Sequence, residues 1–145
     1  MPVFLVKANT KTLAEQPAWL VDLHKIYTEG FAASPTSFPA PFETAPSFID
    51  KALMQPNCWF AGALFNDHLL GAALVTEKAN VWQFSFLNVR KVTQRRGVAT
   101  RLLTLLAAKA QEKNVPLCLA TPAGLENNAA VQALVNKLGP LIKQD

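Results

Sequence analysis

Three runs of strand-like period follow one another almost without a break: "CWFAGALF" at 58–65, "HLLGAALVTE" at 68–77 and "VWQFSFLNV" at 81–89. Only Asn66 and Asp67 separate the first two, and a polar two-residue connection is the commonest way to close an antiparallel hairpin. The third run alternates and is rich in aromatic and branched residues, which suits a half-buried pleated surface. Behind it the period lengthens. Over 97–113, Val98, Leu102, Leu105, Leu106 and Ala110 form a broad apolar helical face, and Lys109 and Lys113 fall near the C-terminal end, where the helix dipole favours cations. Adjacent antiparallel strands that hand over to a long amphipathic helix commit the chain to a sheet with helices packed on it.

The remaining segments extend that plan. Residues 2–7 read as a strand. From Pro17, which suits a first helical turn, Leu20, Leu23, Ile26 and Tyr27 recur at spacings of three and four, and this helix is expected to end near Gly30. Residues 34–46 hold four of the ten prolines, together with Phe38 and Phe42, and read as an irregular loop. A short helix follows, with Ser47 as its N-cap and Asp50 three residues on. Beyond the long helix, "VPLCLAT" is a buried strand and "NNAAVQALVNKLG" a second helix, capped by Asn127 or Asn128 and closed by Gly139. The expected whole is one α/β domain over 1–145, a mixed central sheet flanked by helices.

With 50% hydrophobic and 17% charged residues the composition is that of an ordinary globular protein. Asn66, Asp67 and His68 interrupt the longest apolar stretches well short of the roughly 18 residues a membrane span needs. The N-terminus carries neither a basic lead nor a small-residue cleavage site, and Cys58 and Cys118 stand apart in apolar runs without metal-ligand spacing. These features predict a cytoplasmic protein with buried thiols and no bound metal. A net charge of +4 favours an anionic ligand or an acidic partner surface. Nucleic acid is not expected, because the cations gather at one loop without interleaved aromatics.

That loop is "TQRRGVATRL", residues 93–102, where the third run meets the long helix. A helix start leaves backbone N–H groups without partners and carries partial positive charge, so it is a natural seat for phosphate. Gly97 has no Cβ to hold a ligand off the backbone, Ala99 keeps the next close position small, and Arg95 and Arg96 offer forked donors to phosphate oxygens. Arginines beside a glycine are often merely solvated; the setting, between a strand and a helix and followed by another strand and helix, strengthens the pyrophosphate reading. Neither the Lys-Ser/Thr pair of a P-loop nor the G-x-G-x-x-G dinucleotide spacing is present.

The string Gln94-Arg95-Arg96-Gly97-Val98-Ala99 resembles the Q/R-x-x-G-x-G/A signature of the GCN5-related N-acetyltransferase (GNAT) superfamily, with Ala99 where glycine is commoner. The order of elements resembles that superfamily's acyl-CoA N-acyltransferase fold. The resemblance implies acetyl-CoA or CoA as ligand. Its pantetheine arm would pair with the backbone of Leu87, Asn88 and Val89, and its pyrophosphate would be surrounded by Thr93, Gln94, Arg95, Arg96, Gly97, Val98, Ala99 and Thr100. It also implies acetyl transfer to an amine, aided by a base and by a tyrosine four residues before the closing glycine of the last helix. Here that position holds Val135, which cannot donate a proton. Tyr27, the only tyrosine, reads as a core-edge residue, and His24 and His68 as structural or surface residues. The third strand offers Gln83 and Ser85 rather than a carboxylate, so no catalytic residue is assigned. A thiol of pKa about 8.5 is a fair leaving group without help, so the missing acid weakens the case for transfer without closing it. Only "PLIKQD" follows Gly139, and the C-terminal hairpin that walls the superfamily's acceptor pocket is expected to be truncated.

Three further stretches, "DLHKIY", "FNDHLLGAALVT" and "LNVRKVTQRRGVATRLL", are together similar to the maturation factors of aspartate 1-decarboxylase, the PanM/PanZ type. The likeness runs from about Asp22 to Gly139 and departs in the longer N-terminus and the 34–46 loop. It implies a regulator: with acetyl-CoA bound, the protein would engage the aspartate 1-decarboxylase proenzyme, promote the self-cleavage that makes its pyruvoyl group, and couple pantothenate supply to CoA level. Arg90, Lys91, Arg95 and Arg101 would then serve ligand and partner together, or be plain solvated charges. The alternative is an N-acetyltransferase acting on a small amine, with Glu77 or an ordered water as base and the 34–46 loop as pocket wall.

Overall fold

Asn66 and Asp67 both take positive φ, 49° and 66°, the conformation that lets a two-residue turn match the twist of the strands it joins. The hairpin they close lies within a sheet that has six strands among the described residues. In the computed structural model, which describes residues 3–33, 44–93, 97–119 and 142–144, the order is β1 (Phe4–Ala8), α1 (Thr10–Glu15), α2 (Pro17–Ala33), α3 (Ala45–Leu53), β2 (Cys58–Phe65), β3 (His68–Glu77), β4 (Trp82–Val89), a 3-10 turn (Lys91–Thr93), α4 (Val98–Glu112), β5 (Leu117–Leu119) and β6 (Ile142–Gln144). The strands lie in chain order; β1 to β4 are antiparallel, and β5 and β6 join in parallel.

Each face of the sheet has its own apolar layer. On one, Leu102, Leu103 and Leu106 of α4 pack over Trp59, Val75 and Phe84. On the other, Leu23, Ile26 and Tyr27 of α2 and Phe48 and Ile49 of α3 cover Phe60, Leu69 and Phe86. Phe48 is the hub of that second layer, its ring meeting those of Tyr27 at 5.0 Å, Phe86 at 4.9 Å and Phe60 at 5.9 Å, all edge to face. A buried carboxylate fixes α2 to the hairpin: Asp22 accepts the Leu69 N–H at 3.0 Å and stands 3.4 Å from His68 Nδ1.

Several details differ from the sequence expectations. Helix α1 was not anticipated; its capping box uses Asn9 and Thr12, each side chain bonding the other's backbone N–H, where a Glu or Gln would have been the recognisable signal. Helix α2 continues through Gly30 to Ala33. Its glycine serves close packing, because a Cβ there would come within 2.6 Å of Asn88 Oδ1. Helix α3 starts at Ala45 with Thr44, not Ser47, as its N-cap; the Ser47 N–H donates to Thr44 Oγ1. The tail contributes β6, a single parallel strand too short to show a period, where no strand was expected. The second helix at 127–139, with Val135, and residues 34–43 of the proline-rich loop lie outside the described residues.

Because Phe48 joins three rings, Phe48→Ala should destabilise the fold by about 3–5 kcal/mol. Urea denaturation checks this as a fall in midpoint with little change in slope.

Candidate ligand-binding site

The chemistry-bearing stretch begins with an irregularity in β4. Ala72 faces Asn88 and Leu74 faces Ser85, so two steps along β3 correspond to three along β4. The extra residue is Phe86, at φ 53°. Its effect is a change of parity. Before the bulge, Trp82 donates its N–H to the Pro116 carbonyl, so backbone groups of even-numbered residues face β5. After it, Arg90 donates its N–H to Leu70 on β3, so those of Asn88 also face β3, and those of Leu87 and Val89 face the opposite edge. The side chains follow the same switch, with Trp82, Phe84, Leu87 and Val89 all on the α4 layer. Among the described residues, pairing with β5 ends at Phe84 with Leu119, which leaves the Leu87 and Val89 edge beyond it.

Of the three residues expected to meet a pantetheine arm by their backbone, Leu87 and Val89 thus turn their backbone groups away from β3 and Asn88 turns its own toward it. The Asn88 side chain turns to α2, against Gly30 and 3.5 Å from the Phe86 carbonyl.

Helix α2 braces this strand at three points. The Tyr27 hydroxyl donates to the Phe86 carbonyl at 2.8 Å. Tyr27 is fully buried, deeper than the core edge expected of it, and burial pushes its phenol well above the usual range, so it stays protonated as a donor. Gly30 receives Asn88. Glu29 Oε1 accepts both Arg90 Nε at 3.1 Å and the Lys91 N–H at 2.9 Å, which fixes the 3-10 turn. Arg90 is thus paired to Glu29, while the Lys91 and Arg101 side chains are exposed. Within the turn, Thr93 is buried and its hydroxyl donates to the Arg90 carbonyl at 3.0 Å.

The turn leads to the start of α4 through Gln94, Arg95 and Arg96, which lie outside the described residues. Gly97 caps the helix at φ 79°, left-handed backbone that favours glycine, and nothing lies within 4 Å of where a Cβ would stand. Any other residue would be strained at this φ, a constraint the sequence alone did not show. The Arg101 N–H bonds the Gly97 carbonyl, so the N–H groups of Val98, Ala99 and Thr100 precede the helical ladder. Val98 can contribute only backbone, since its side chain is buried in the α4 layer; Ala99 and Thr100 are half-buried.

Glu77 lies elsewhere. It pairs with Trp82, four residues before Phe86 and roughly 13 Å away along the strand, and it accepts the Trp59 indole N–H and pairs with Lys7 at 3.5 Å. With those residues it lines a separate cleft of about 550 Å³ against the C-terminal half of α4. Among the described residues no cluster of His, Cys, Asp and Glu could hold a metal ion, and no helix is long and apolar enough to cross a membrane.

Burial raises the Glu29 carboxyl, but the hydrogen bonds from the Lys91 N–H and Arg90, with their charges, outweigh it and hold the group below its usual range. A lowered carboxyl contributes stability above its unfolded pKa and loses it as pH falls through the folded one. Glu29→Gln should therefore cost less than about 1 kcal/mol at pH 7, since the pair is part-exposed and screened. Denaturation at a series of pH values should show that difference shrinking below about pH 4.

The comparisons with known proteins agree with this geometry. A family model described as "Acetyltransferase (GNAT) domain, PanZ" matches residues 7–137. Among curated protein sequences none matches this chain significantly. Solved structures similar in fold include a probable acetyltransferase at 20% identity, covering 94% of this chain and 88% of that one with a TM-score of 0.65. A ribosomal-protein-alanine N-acetyltransferase from Brucella melitensis biovar Abortus 2308 follows at 16% identity, 95% and 91% coverage and a TM-score of 0.64. An AAC(6')-Iy complex with the bisubstrate analog CoA-S-monomethyl-acetylneamine is similar at 14% identity, 96% and 90% coverage and a TM-score of 0.60. A curled mixed sheet with flanking helices, a bulged fourth strand leading to a glycine-capped helix, and a family match over nearly the whole length place this chain in the PanZ family of GNAT domains.

Proposed function

We propose that this protein binds acetyl-CoA along the Leu87 and Val89 edge and at the start of α4, and that the liganded form promotes self-cleavage of the aspartate 1-decarboxylase proenzyme. The observation that carries the first half is the continuity of the track. Backbone at Leu87 and Val89 with no strand partner among the described residues, the 3-10 turn and the glycine-capped helix follow in chain order, hydrogen-bonding groups first and a positive helix end last. That sequence of groups suits an amide-bearing arm that ends in a pyrophosphate. Membership of the PanZ family supports the second half. So does the state of the described polar groups near the bulge: the Tyr27 hydroxyl is given to the Phe86 carbonyl, and Glu77 is distant and paired. If the partner engages only the liganded form, the ligand must bind that state more tightly in return, since coupling is reciprocal.

The test is cleavage of purified proenzyme, followed by mass spectrometry, with this protein and acetyl-CoA added separately and together. Acceleration that requires both is the expected result. Acetyl-CoA binding without acceleration would refute the maturation role and favour acetyl transfer to a small amine. Gly97→Val should weaken acetyl-CoA binding at least about tenfold, equivalent to about 1.4 kcal/mol, by strain at a positive φ and by crowding the approach. Calorimetric titration of the variant checks it.

A further inference from the structure

Three contacts from α2 converge on six residues of β4 and its turn, 86–91. The Tyr27 hydroxyl reaches the main chain at Phe86, 2.8 Å from its carbonyl. The absent Cβ of Gly30 admits Asn88, whose Nδ2 points back at that same carbonyl from 3.5 Å. Glu29 takes the N–H of Lys91. The first two act on the bulge, and the bulge decides which backbone groups of β4 face away from β3.

We propose that Tyr27 and Gly30 are positioning residues for the pantetheine arm of the ligand, touching none of it and acting through the Phe86 bulge. The inference rests on the acetyl-CoA reading above and deepens it. Phe86 holds φ 53°, which a bulky residue adopts only when its surroundings enforce it. The phenol contributes to that enforcement, since it bonds the Phe86 carbonyl at 2.8 Å. Without that bond the strand can return to regular pleating, and a one-residue slip would turn Leu87 and Val89 toward β3 and Asn88 toward the ligand. The phosphate end of the ligand, held at the start of α4, would not feel this change. Positioning by α2 therefore predicts a loss confined to one part of the ligand.

Tyr27→Phe removes the hydroxyl and keeps the ring that meets Phe48 and Phe60 at 5.0 and 5.5 Å. Gly30→Ala displaces Asn88 from the other side. Both full-length variants are titrated calorimetrically with acetyl-CoA and with 3′-phosphoadenosine 5′-diphosphate, which has the phosphates and no pantetheine. The expected result is an acetyl-CoA dissociation constant raised about tenfold in each variant, with the nucleotide's changed by less than about twofold. A general structural defect would move both ligands together. Unchanged acetyl-CoA affinity in the two variants, or an equal loss for both ligands, overturns the proposal. Should Tyr27→Phe fail to fold, Gly30→Ala is read by the same ratio. A wild-type protein that binds neither ligand would instead refute the acetyl-CoA reading itself.

Discussion

The hydrogen bond from Tyr27 to the Phe86 carbonyl joins two groups that could not be buried separately. A main-chain carbonyl turned into an apolar layer without a partner costs about 1–3 kcal/mol, and a phenol hydroxyl in the same layer faces a similar penalty. Each satisfies the other, in surroundings of Phe48 and Phe60 rings where an internal hydrogen bond is stronger than in water. The bond is one of the contacts that hold a phenylalanine at positive φ. From that one residue follow the parity switch in β4, the two sets of backbone groups facing opposite ways, and the edge at Leu87 and Val89.

The other end of the site has a different physical basis. At the start of α4 the described groups suited to an anion include backbone N–H groups and a partial positive charge, both consequences of any helix beginning there. Gly97 adds a conformation and an open approach. Glu29 offsets part of the local positive charge by pairing with Arg90, so the field at this corner is smaller than a count of its arginines and lysines suggests.

Much of the fold was legible because hydrophobic periods of two and of nearly four differ unmistakably over eight residues or more. The bounds of β2 and β3 and the start of α4 at Gly97 came directly from that signal and from turn and cap chemistry. Short elements were not legible: α1 has six residues and an Asn-Thr box, and β6 three. Gly30 misled because glycine at a helix end and glycine at a close contact look identical in sequence, and only Asn88 from a distant strand distinguishes them. Of the site, the helix start was visible as a local motif. The different roles of Leu87, Val89 and Asn88 were not, because an extra residue in a bulge leaves no mark on a strand that alternates well on both sides of it.

The sequence by itself determined the hairpin, the amphipathic helix behind it and the glycine at their junction, since each depends on residues within one turn or one strand. The tertiary structure alone decided that Tyr27 braces β4, that Arg90 is paired to Glu29 and that Glu77 belongs to a separate cleft. Those relations join residues 59, 61 and 18 positions apart. No local propensity carries such information, because it arises only when the fold brings groups distant in sequence together and, as for the Tyr27 hydroxyl, burial requires a partner.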